Sequence, residues 1–291
     1  MDPNIVILAG GISSRMKKSS PSLDDALRAD VEGKVKAMIG VGAGSRPFLD
    51  YLFYNIERAG YRDIILVVGE RDSSIREYYD NRRERFSRLN ISFATQAVPA
   101  GRQKPPGTAD ALLCALRSAP SWVNRKFTVC NSDNLYSVNA LKLLRSDTHE
   151  NAMIDYDRSG LKFDPDRICD FAVTRKDADG YLTDIVEKPS QEEMLRATDR
   201  AGRIGVSMNI FRLSYNAIYP FLEAVPFHPS RDEKELPMAV RMMVALLPRS
   251  VYAIPLREHV LDLTSPSDIP EVVKSLGKEF PDGDPFAKGV M

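Results

Sequence analysis

Cysteine is scarce in this chain: only Cys114, Cys130 and Cys169 occur among its 291 residues. They stand far apart, without the short spacings of a zinc site or of a disulfide framework. We therefore expect them to be small core residues of a reduced protein, and not bridges or metal ligands.

Net charge and long apolar runs are also lacking. Acidic and basic residues balance at 40 each, so no overall field favours nucleic acid or an anionic membrane. The sequence contains no apolar run of membrane-spanning length and no signal-peptide pattern. It predicts a soluble, cytoplasmic protein in which any polyphosphate ligand is met by local cations.

Familiar catalytic patterns are missing as well. The sequence has neither G-x-x-x-x-G-K-[ST] nor G-x-G-x-x-G, and its three histidines suggest no Ser-His-Asp or Cys-His set. These absences exclude a Walker A loop and the usual dinucleotide-binding loop, and they argue against a covalent protein nucleophile.

What the sequence does contain is a regular alternation of short apolar runs with helical patterns. This alternation predicts an α/β fold, with a mostly parallel sheet covered by helices on both faces. The predicted strands are 5–8, 63–68, 91–95, 127–130, 152–156, 171–175, 182–187, 206–211 and 251–255. The predicted helices are 48–56, 74–85, 108–117, 139–144, 215–223 and 235–246.

The most informative segment, residues 8–16, reads L-A-G-G-I-S-S-R-M and directly follows the first predicted strand. Gly10 and Gly11 let backbone N–H groups approach an anion closely. Arg15 adds a planar guanidinium that can clamp phosphate oxygens. The segment is predicted to hold a nucleotide polyphosphate.

Further motifs follow in order along the chain. They read G-K-V-K-A-M-I-G-V (33–41), G-T-A-D-A-L (107–112), F-T-V-C-N-S-D-N-L-Y (127–136), T-D-I-V-E-K-P (183–189), S-M-N-I-F (207–211) and V-L-D-L-T-S-P-S-D (260–268). Together with the first segment they resemble the signatures of the sugar-1-phosphate nucleotidylyltransferases, with ADP-glucose pyrophosphorylase-like details. The resemblance extends over roughly residues 4–275.

This resemblance implies a Rossmann-like, three-layer α/β/α fold of the nucleotide-diphospho-sugar transferase type, with a mostly parallel but mixed central sheet. It also implies a Mg²⁺-dependent enzyme that couples a nucleoside triphosphate to a sugar 1-phosphate and releases pyrophosphate. The expected partners are these two small molecules, and neither nucleic acid nor membrane. The oligomeric state stays open, a homo-oligomer included.

By the same resemblance, the candidate site residues fall into four groups. The catalytic cations are Arg15, Lys36 and Lys188. The nucleotide is assigned to Leu8, Ala9, Gly10, Gly11, Gln96, Gly107 and Thr108. The sugar phosphate is assigned to Glu187, Lys188 and Asn209, and the metal to Asp133 and Asp262.

Physical arguments accompany several of these assignments. Asp133 and Asp262 suit Mg²⁺, which takes one or two protein carboxylates beside substrate phosphates and water. Gly107 leaves room for a base against the backbone, and Thr108 is expected to cap the helix that it opens. Asn209 stands where the family has glycine, which we interpret as a hint of altered acceptor specificity.

Two other functions stay open. The first keeps the fold but uses CTP and an alcohol phosphate such as phosphocholine. The second is a catalytically silent nucleotide-binding or regulatory protein, motivated by the unusual Asn131-Ser132 and by the missing tryptophan before Asp262.

The chain is predicted to form a single nucleotidyltransferase domain over residues 1–276. Polar insertions at about 17–33 and 100–106 follow predicted strands, where α/β sheets bind ligands, and are either active-site flaps or plain surface loops. Residues 277–291 are interpreted as a frayed C-terminal tail.

Overall fold

The computed structural model describes residues 2–11, 16, 25–281 and 284–286. The strands are β1 (Asn4–Leu8), β2 (Gly40–Gly42), β3 (Arg46–Pro47), β4 (Asp63–Gly69), β5 (Asn90–Gln96), β6 (Lys126–Asn131), β7 (Asn134–Leu135), β8 (Asn151–Asp157), β9 (Val173–Lys176), β10 (Leu182–Val186), β11 (Gly205–Ser214), β12 (Val251–Leu256) and β13 (Leu261–Asp262). The α-helices are α1 (Asp25–Gly33), α2 (Phe48–Arg58), α3 (Ser74–Asp80), α4 (Thr108–Ser118), α5 (Val138–Ser146), α6 (Pro165–Cys169), α7 (Gln191–Arg196), α8 (Tyr215–Ala224), α9 (Leu236–Leu246) and α10 (Ile269–Glu279).

Within the described residues, nine strands form one central sheet. Strands β5, β4, β1 and β6 lie side by side and parallel. Strand β11 joins β6 in the antiparallel direction and also pairs with β8 and β9, while β12 runs parallel to β8. The predicted α/β fold with a mostly parallel, mixed sheet is confirmed.

The first strand explains why the sheet carries two apolar cores. Every residue of β1 is buried, as expected for a parallel strand covered on both faces. Because successive side chains point to opposite faces, Ile5 and Ile7 enter one core and Val6 and Leu8 the other. Helices α2, α5 and α10 cover the first face, and α4, α8 and α9 cover the second. None of the helices in the described part of the chain has the length and apolar character needed to span a bilayer.

A buried ion cluster ties together three strands on the β8 side of the sheet. Asp155 on β8 is completely buried and accepts hydrogen bonds from Thr174 on β9 and from Arg203 before β11. Lys176 lies 3.0 Å from the same carboxylate. A β-carbon on Gly205 would lie 1.9 Å from Asp155 Oδ1, so this position has no room for a side chain.

The C-terminal segment differs from the predicted tail. Helix α10 continues to Glu279, so a tail boundary at Gly277 falls inside a helix, because Leu276 anchors its last turn in the core. Beyond it, the Phe280 ring packs against Tyr51 at a centroid distance of 4.9 Å. Asp284 binds both Arg46 and Arg85.

The first polar insertion also has structure. Residues 17–24 lie outside the described residues, but residues 25–33 form α1. Asp30 Oδ2 accepts a hydrogen bond of 2.9 Å from Gly40 N, which ties this helix to β2. The sequence analysis interpreted this stretch as a polar insertion and missed α1, in which Val31 is buried and Leu27 packs against the core.

Candidate active site

A cleft of about 200 Å³ opens where β1, β5 and β6 end. The ends of neighbouring parallel strands are the usual ligand position in an α/β sheet. The cleft is lined, among others, by nine residues that the sequence assigned to one site: Leu8, Ala9, Gly10, Gly11, Lys36, Gln96, Gly107, Thr108 and Asp133.

The two glycines after β1 differ in the space around them. A β-carbon on Gly10 would lie 3.0 Å from Gln96 Oε1 and 3.6 Å from Gly69 N. Among the described residues, no atom lies within 4 Å of the corresponding position on Gly11, which therefore opens towards the cleft. Arg15, the predicted phosphate clamp, lies outside the described residues.

Lys36 and Asp133 both line the cleft and form an ion pair there. Lys36 begins a 3₁₀ turn, Lys36–Met38, whose other two residues are buried and fix its position. Its ammonium donates a hydrogen bond to the Asp133 carboxylate, and the two side chains are only 18% and 19% exposed. A predicted catalytic cation thus sits against a predicted metal ligand.

A small antiparallel ladder brings the second predicted carboxylate to the first. Strand β13 pairs with β7, and Asp262 lies opposite Asn134, the neighbour of Asp133. Leu263 N donates to the Asp133 carbonyl at 2.8 Å. Burial, together with the nearby charge of Asp133, raises the pKa of Asp262 to about 6. The two acidic residues are therefore neighbours across the ladder.

The sequence analysis missed a cation in this cluster. Arg167 on α6 donates a hydrogen bond of 2.5 Å to Asp262 Oδ2 and another to Asp268. The hydroxyl of Thr264 donates to the other oxygen of Asp262 at 2.7 Å. Helix α6 has only five residues and lies in none of the recognised motifs, so the sequence offered no signal for Arg167.

Gln96, which also lines the cleft, is held by the turn that opens α4. Its Nε2 donates to the Gly107 carbonyl at 2.8 Å and to Asp110 Oδ2 at 2.9 Å. Gly107 has a φ of 117°, and a β-carbon there would lie 2.6 Å from the Lys234 carbonyl. The structure therefore gives Gly107 two backbone reasons to be glycine that are independent of a bound base.

The predicted capping role of Thr108 is wrong for its own helix. Its hydroxyl accepts a hydrogen bond of 2.9 Å from Leu236 N, at the start of α9, and Gly107 caps α4 without a side-chain hydrogen bond. The local pattern could not reveal this partner, because the two helices meet only in the folded chain.

The second polar insertion is fastened to the loop before α9. Arg102 donates to the Asp232 carbonyl at 2.6 Å and stacks over Phe227. Lys104, which lines the cleft, donates to the Arg231 carbonyl and to Glu233, both at 2.6 Å. Residues 100–106 thus form part of the cleft wall and are held by several polar contacts.

The predicted sugar-phosphate residues lie outside the lining of this cleft. Glu187 and Lys188 are exposed at the end of β10, and Glu187 Oε2 is 3.8 Å from Arg231 Nη1. Lys188 and Asn209 both have positive φ, 45° and 54°. Such left-handed backbone is uncommon for non-glycine residues and often marks functional positions.

The backbone at position 209 suggests why asparagine stands where the family has glycine. Asn209 lies where the register of β11 against β8 shifts, and glycine and asparagine tolerate left-handed φ best. We expect Asn209→Ala to lower the free energy of unfolding by about 1–2 kcal/mol and Asn209→Gly by less than about 1 kcal/mol. Urea denaturation measures both. Equal losses in the two variants would contradict the backbone explanation.

Comparisons with known proteins identify related sequences. A family model described as nucleotidyl transferase matches residues 5–225. The D-glycero-alpha-D-manno-heptose 1-phosphate guanylyltransferase of Aneurinibacillus thermoaerophilus is 26% identical over 138 residues, which are 47% of this chain and 49% of that protein. The chain thus spans about half the length of this relative. The UTP–glucose-1-phosphate uridylyltransferase AglF of Haloferax volcanii is 24% identical over 284 residues, 94% of this chain and 96% of that protein.

Solved structures share the fold over nearly the whole chain. A UDP-glucose pyrophosphorylase complexed with UDP-glucose superposes with a TM-score of 0.68 at 17% identity, covering 96% of this chain and 100% of the other. The UTP-bound UGPase from Acinetobacter baumannii gives a TM-score of 0.67 at 20% identity, covering 97% and 96%. At these identities, the likeness concerns the fold alone.

Proposed function

The chain belongs to the nucleotidyl transferase family, and on this premise we propose that it transfers a nucleotidyl group from a nucleoside triphosphate to a sugar 1-phosphate. The observation that carries the proposal is the placement of Lys36 and Asp133 in the glycine-lined cleft at the end of β1, with Asp262 brought next to Asp133 by the pairing of β13 with β7. A cation beside a carboxylate, with a second carboxylate next to it, forms an environment for a polyphosphate and a divalent ion.

The proposed reaction is an in-line displacement. An oxygen of the sugar 1-phosphate attacks the α-phosphorus, a new P–O bond forms, and the bond to the β-phosphate oxygen breaks as pyrophosphate leaves. The attacking phosphate is already ionised, so no protein base is needed. Catalysis then consists of alignment and of neutralising charge as it develops.

Each predicted residue has a place in this scheme. The backbone of Gly10 and Gly11, with Arg15, holds the leaving pyrophosphate, and Lys36 approaches the α-phosphate. On the acceptor side, Lys188 binds the sugar phosphate. Glu187 receives hydrogen bonds from sugar hydroxyls, and Asn209 lies beside them. A single domain, extended from the predicted residues 1–276 through the end of α10 at Glu279, carries both half-sites.

The carboxylate pair fits Mg²⁺ by its chemistry. Asp133 and Asp262 supply only oxygen donors, and their mutual repulsion is what a divalent cation relieves. Among the described residues, no group of three or more His, Cys, Asp or Glu side chains could hold a metal. Two carboxylates suffice for Mg²⁺ when substrate phosphates and water complete its shell. When bound, the ion would neutralise phosphate charge.

A substrate panel tests the proposed function. The protein is incubated with each nucleoside triphosphate, Mg²⁺ and one acceptor, and pyrophosphate release and the nucleotide product are measured. Glucose 1-phosphate and a heptose 1-phosphate belong in the panel because relatives named above use them. Formation of a nucleotide sugar together with pyrophosphate supports the proposal. Turnover of phosphocholine alone, or nucleotide binding without turnover of any acceptor, overturns it.

Removal of either carboxylate is expected to weaken metal dependence. In Asp133→Asn and Asp262→Asn, we expect the Mg²⁺ concentration for half-maximal activity to rise by about tenfold or more, since even outer partners of metal ligands affect affinity by 10–100-fold. A Mg²⁺ titration of pyrophosphate release measures it. The control is Asp166→Asn, an exposed carboxylate on α6. An unchanged Mg²⁺ requirement in both Asp133→Asn and Asp262→Asn would contradict the assignment of these residues as metal ligands.

A further inference from the structure

Arg167 joins two carboxylates beside the proposed metal site. Its Nη2 donates to Asp262 Oδ2 at 2.5 Å, and its Nη1 donates to Asp268 Oδ1. The guanidinium lies over the Phe163 ring, with Cζ 4.6 Å from the ring centroid. The two carboxylates are only 11% and 10% exposed, so these contacts are largely shielded from water. A lysine here would keep the charge but lose the planar fork that binds two partners at fixed positions.

Asp268 gives this arrangement a fixed point. Its Oδ2 accepts hydrogen bonds from Thr264 N at 2.9 Å and from Ser265 N at 2.7 Å. The bond from Ser265 N belongs to the capping box that starts the following 3₁₀ turn. One oxygen of Asp268 is therefore committed to the backbone, while the other receives Arg167. Arg167 thus ties Asp262 to a carboxylate that the backbone holds in place.

Both oxygens of Asp262 are oriented by protein donors. Arg167 binds Oδ2, and the Thr264 hydroxyl donates to Oδ1 at 2.7 Å. Each carboxylate oxygen has two lone pairs, so one acceptor position on each oxygen remains for a metal ion. Metal ligands act well only when hydrogen bonds from outer partners hold them close to the required geometry. The contacts of Asp262 have this form.

We propose that Arg167 is a positioning residue for the metal site, which holds the Asp262 carboxylate in the orientation that binds the divalent ion by tying it to Asp268. This inference rests on the proposed function, because it assumes that Asp262 is a ligand of that ion. The role depends on the fork of the guanidinium and not on its charge alone. It is opposite to competition, in which Arg167 would take the place of the ion and its removal would tighten metal binding.

Binding of Mn²⁺ alone tests the proposal without requiring turnover. Mn²⁺ dissociation constants of the full-length protein are measured by electron paramagnetic resonance, and thermal unfolding verifies that each variant folds. We expect Arg167→Lys, which keeps the charge and loses the fork, to weaken Mn²⁺ binding by about tenfold or more, the usual effect of losing an outer partner of a metal ligand. Arg167→Met should weaken Mn²⁺ binding as well.

Two controls separate positioning from a general effect on α6. Arg158 Nη2 donates to Cys169 Sγ, at the end of α6, at 3.2 Å. Arg158→Lys should keep Mn²⁺ affinity within about twofold, because substitutions away from the site are usually close to neutral. Asp262→Asn should itself weaken Mn²⁺ binding. In that background Arg167→Lys should add less than about twofold, because Arg167 acts through Asp262.

The outcomes distinguish this role from the proposed function. Unchanged Mn²⁺ binding in Arg167→Lys, tighter binding in Arg167→Met, or an undiminished effect of Arg167→Lys in the Asp262→Asn background would overturn the positioning role while the transferase function stands. Failure of the unaltered protein to bind Mn²⁺ would overturn the positioning role too. The predicted pattern of Mn²⁺ binding without turnover of any acceptor would support the positioning role and remove the proposed function.

Discussion

Replacement of Lys36 by alanine is expected to lower kcat for pyrophosphate release by about 100- to 1000-fold, the usual effect of losing one group that stabilises developing charge. Lys36 lines the cleft and pairs there with Asp133, and the proposed function places the α-phosphate next to it. KM for the triphosphate should change much less, because charge on the transferring phosphate is redistributed mainly in the transition state.

Lys34 provides a matched control for this experiment. It lies two residues earlier, is 44% exposed and pairs with Asp30 on α1. Lys34→Ala should keep kcat within about twofold, because an exposed ion pair contributes little. A kcat for Lys36→Ala within about fivefold of the unaltered protein would contradict the assigned role, which requires a loss of the size seen for catalytic donors.

The largest expected loss of stability is at Asp155. We expect Asp155→Ala to lower the free energy of unfolding by about 3–5 kcal/mol, because removal of one partner from a buried ion cluster leaves the other charges uncompensated. Lys176 and Arg203 both converge on this carboxylate, and Lys176 is itself only 8% exposed. Urea denaturation followed by circular dichroism measures the difference.

An exposed ion pair serves as the comparison for Asp155. Asp179 is 62% exposed and pairs with Arg249, so Asp179→Ala should cost less than about 1 kcal/mol. If Asp155→Ala also lost less than about 1 kcal/mol, the cluster would be a minor contributor to stability and our interpretation of its burial would be incorrect.

The sequence analysis correctly located residues that directly follow the predicted strands. A continuous apolar run such as 5–8 marks a buried parallel strand, and the residues that follow such strands meet at one edge of the sheet. The family resemblance assigned Gly10, Gln96 and Asp133 to one site, and their positions after neighbouring strands explain why the structure brings them into one cleft. Their chemical roles remain predictions.

The sequence analysis failed in two situations. In one, the contacting residues are distant in sequence, and in the other, the element is too short to show a periodic pattern of apolar residues. Two-residue strands such as β7 and β13 carry no alternation, and the five-residue α6 carries no amphipathic pattern. Thr108 was assigned a local capping role because a local motif permits it, whereas its actual donor is Leu236 N. Arg167 was missed for the same reason, since its contact with Asp262 exists only after folding.

The pairing of β7 with β13 also has a consequence for the protein while it is being made on the ribosome. Chains emerge from the N-terminus, so Gly10, Lys36 and Asp133 leave the exit tunnel well before Asp262. By then every strand of the central sheet has already been translated. A nascent or stalled fragment that ends before β13 therefore lacks its second acidic group, and we expect its turnover to need more Mg²⁺ until elongation has passed that strand.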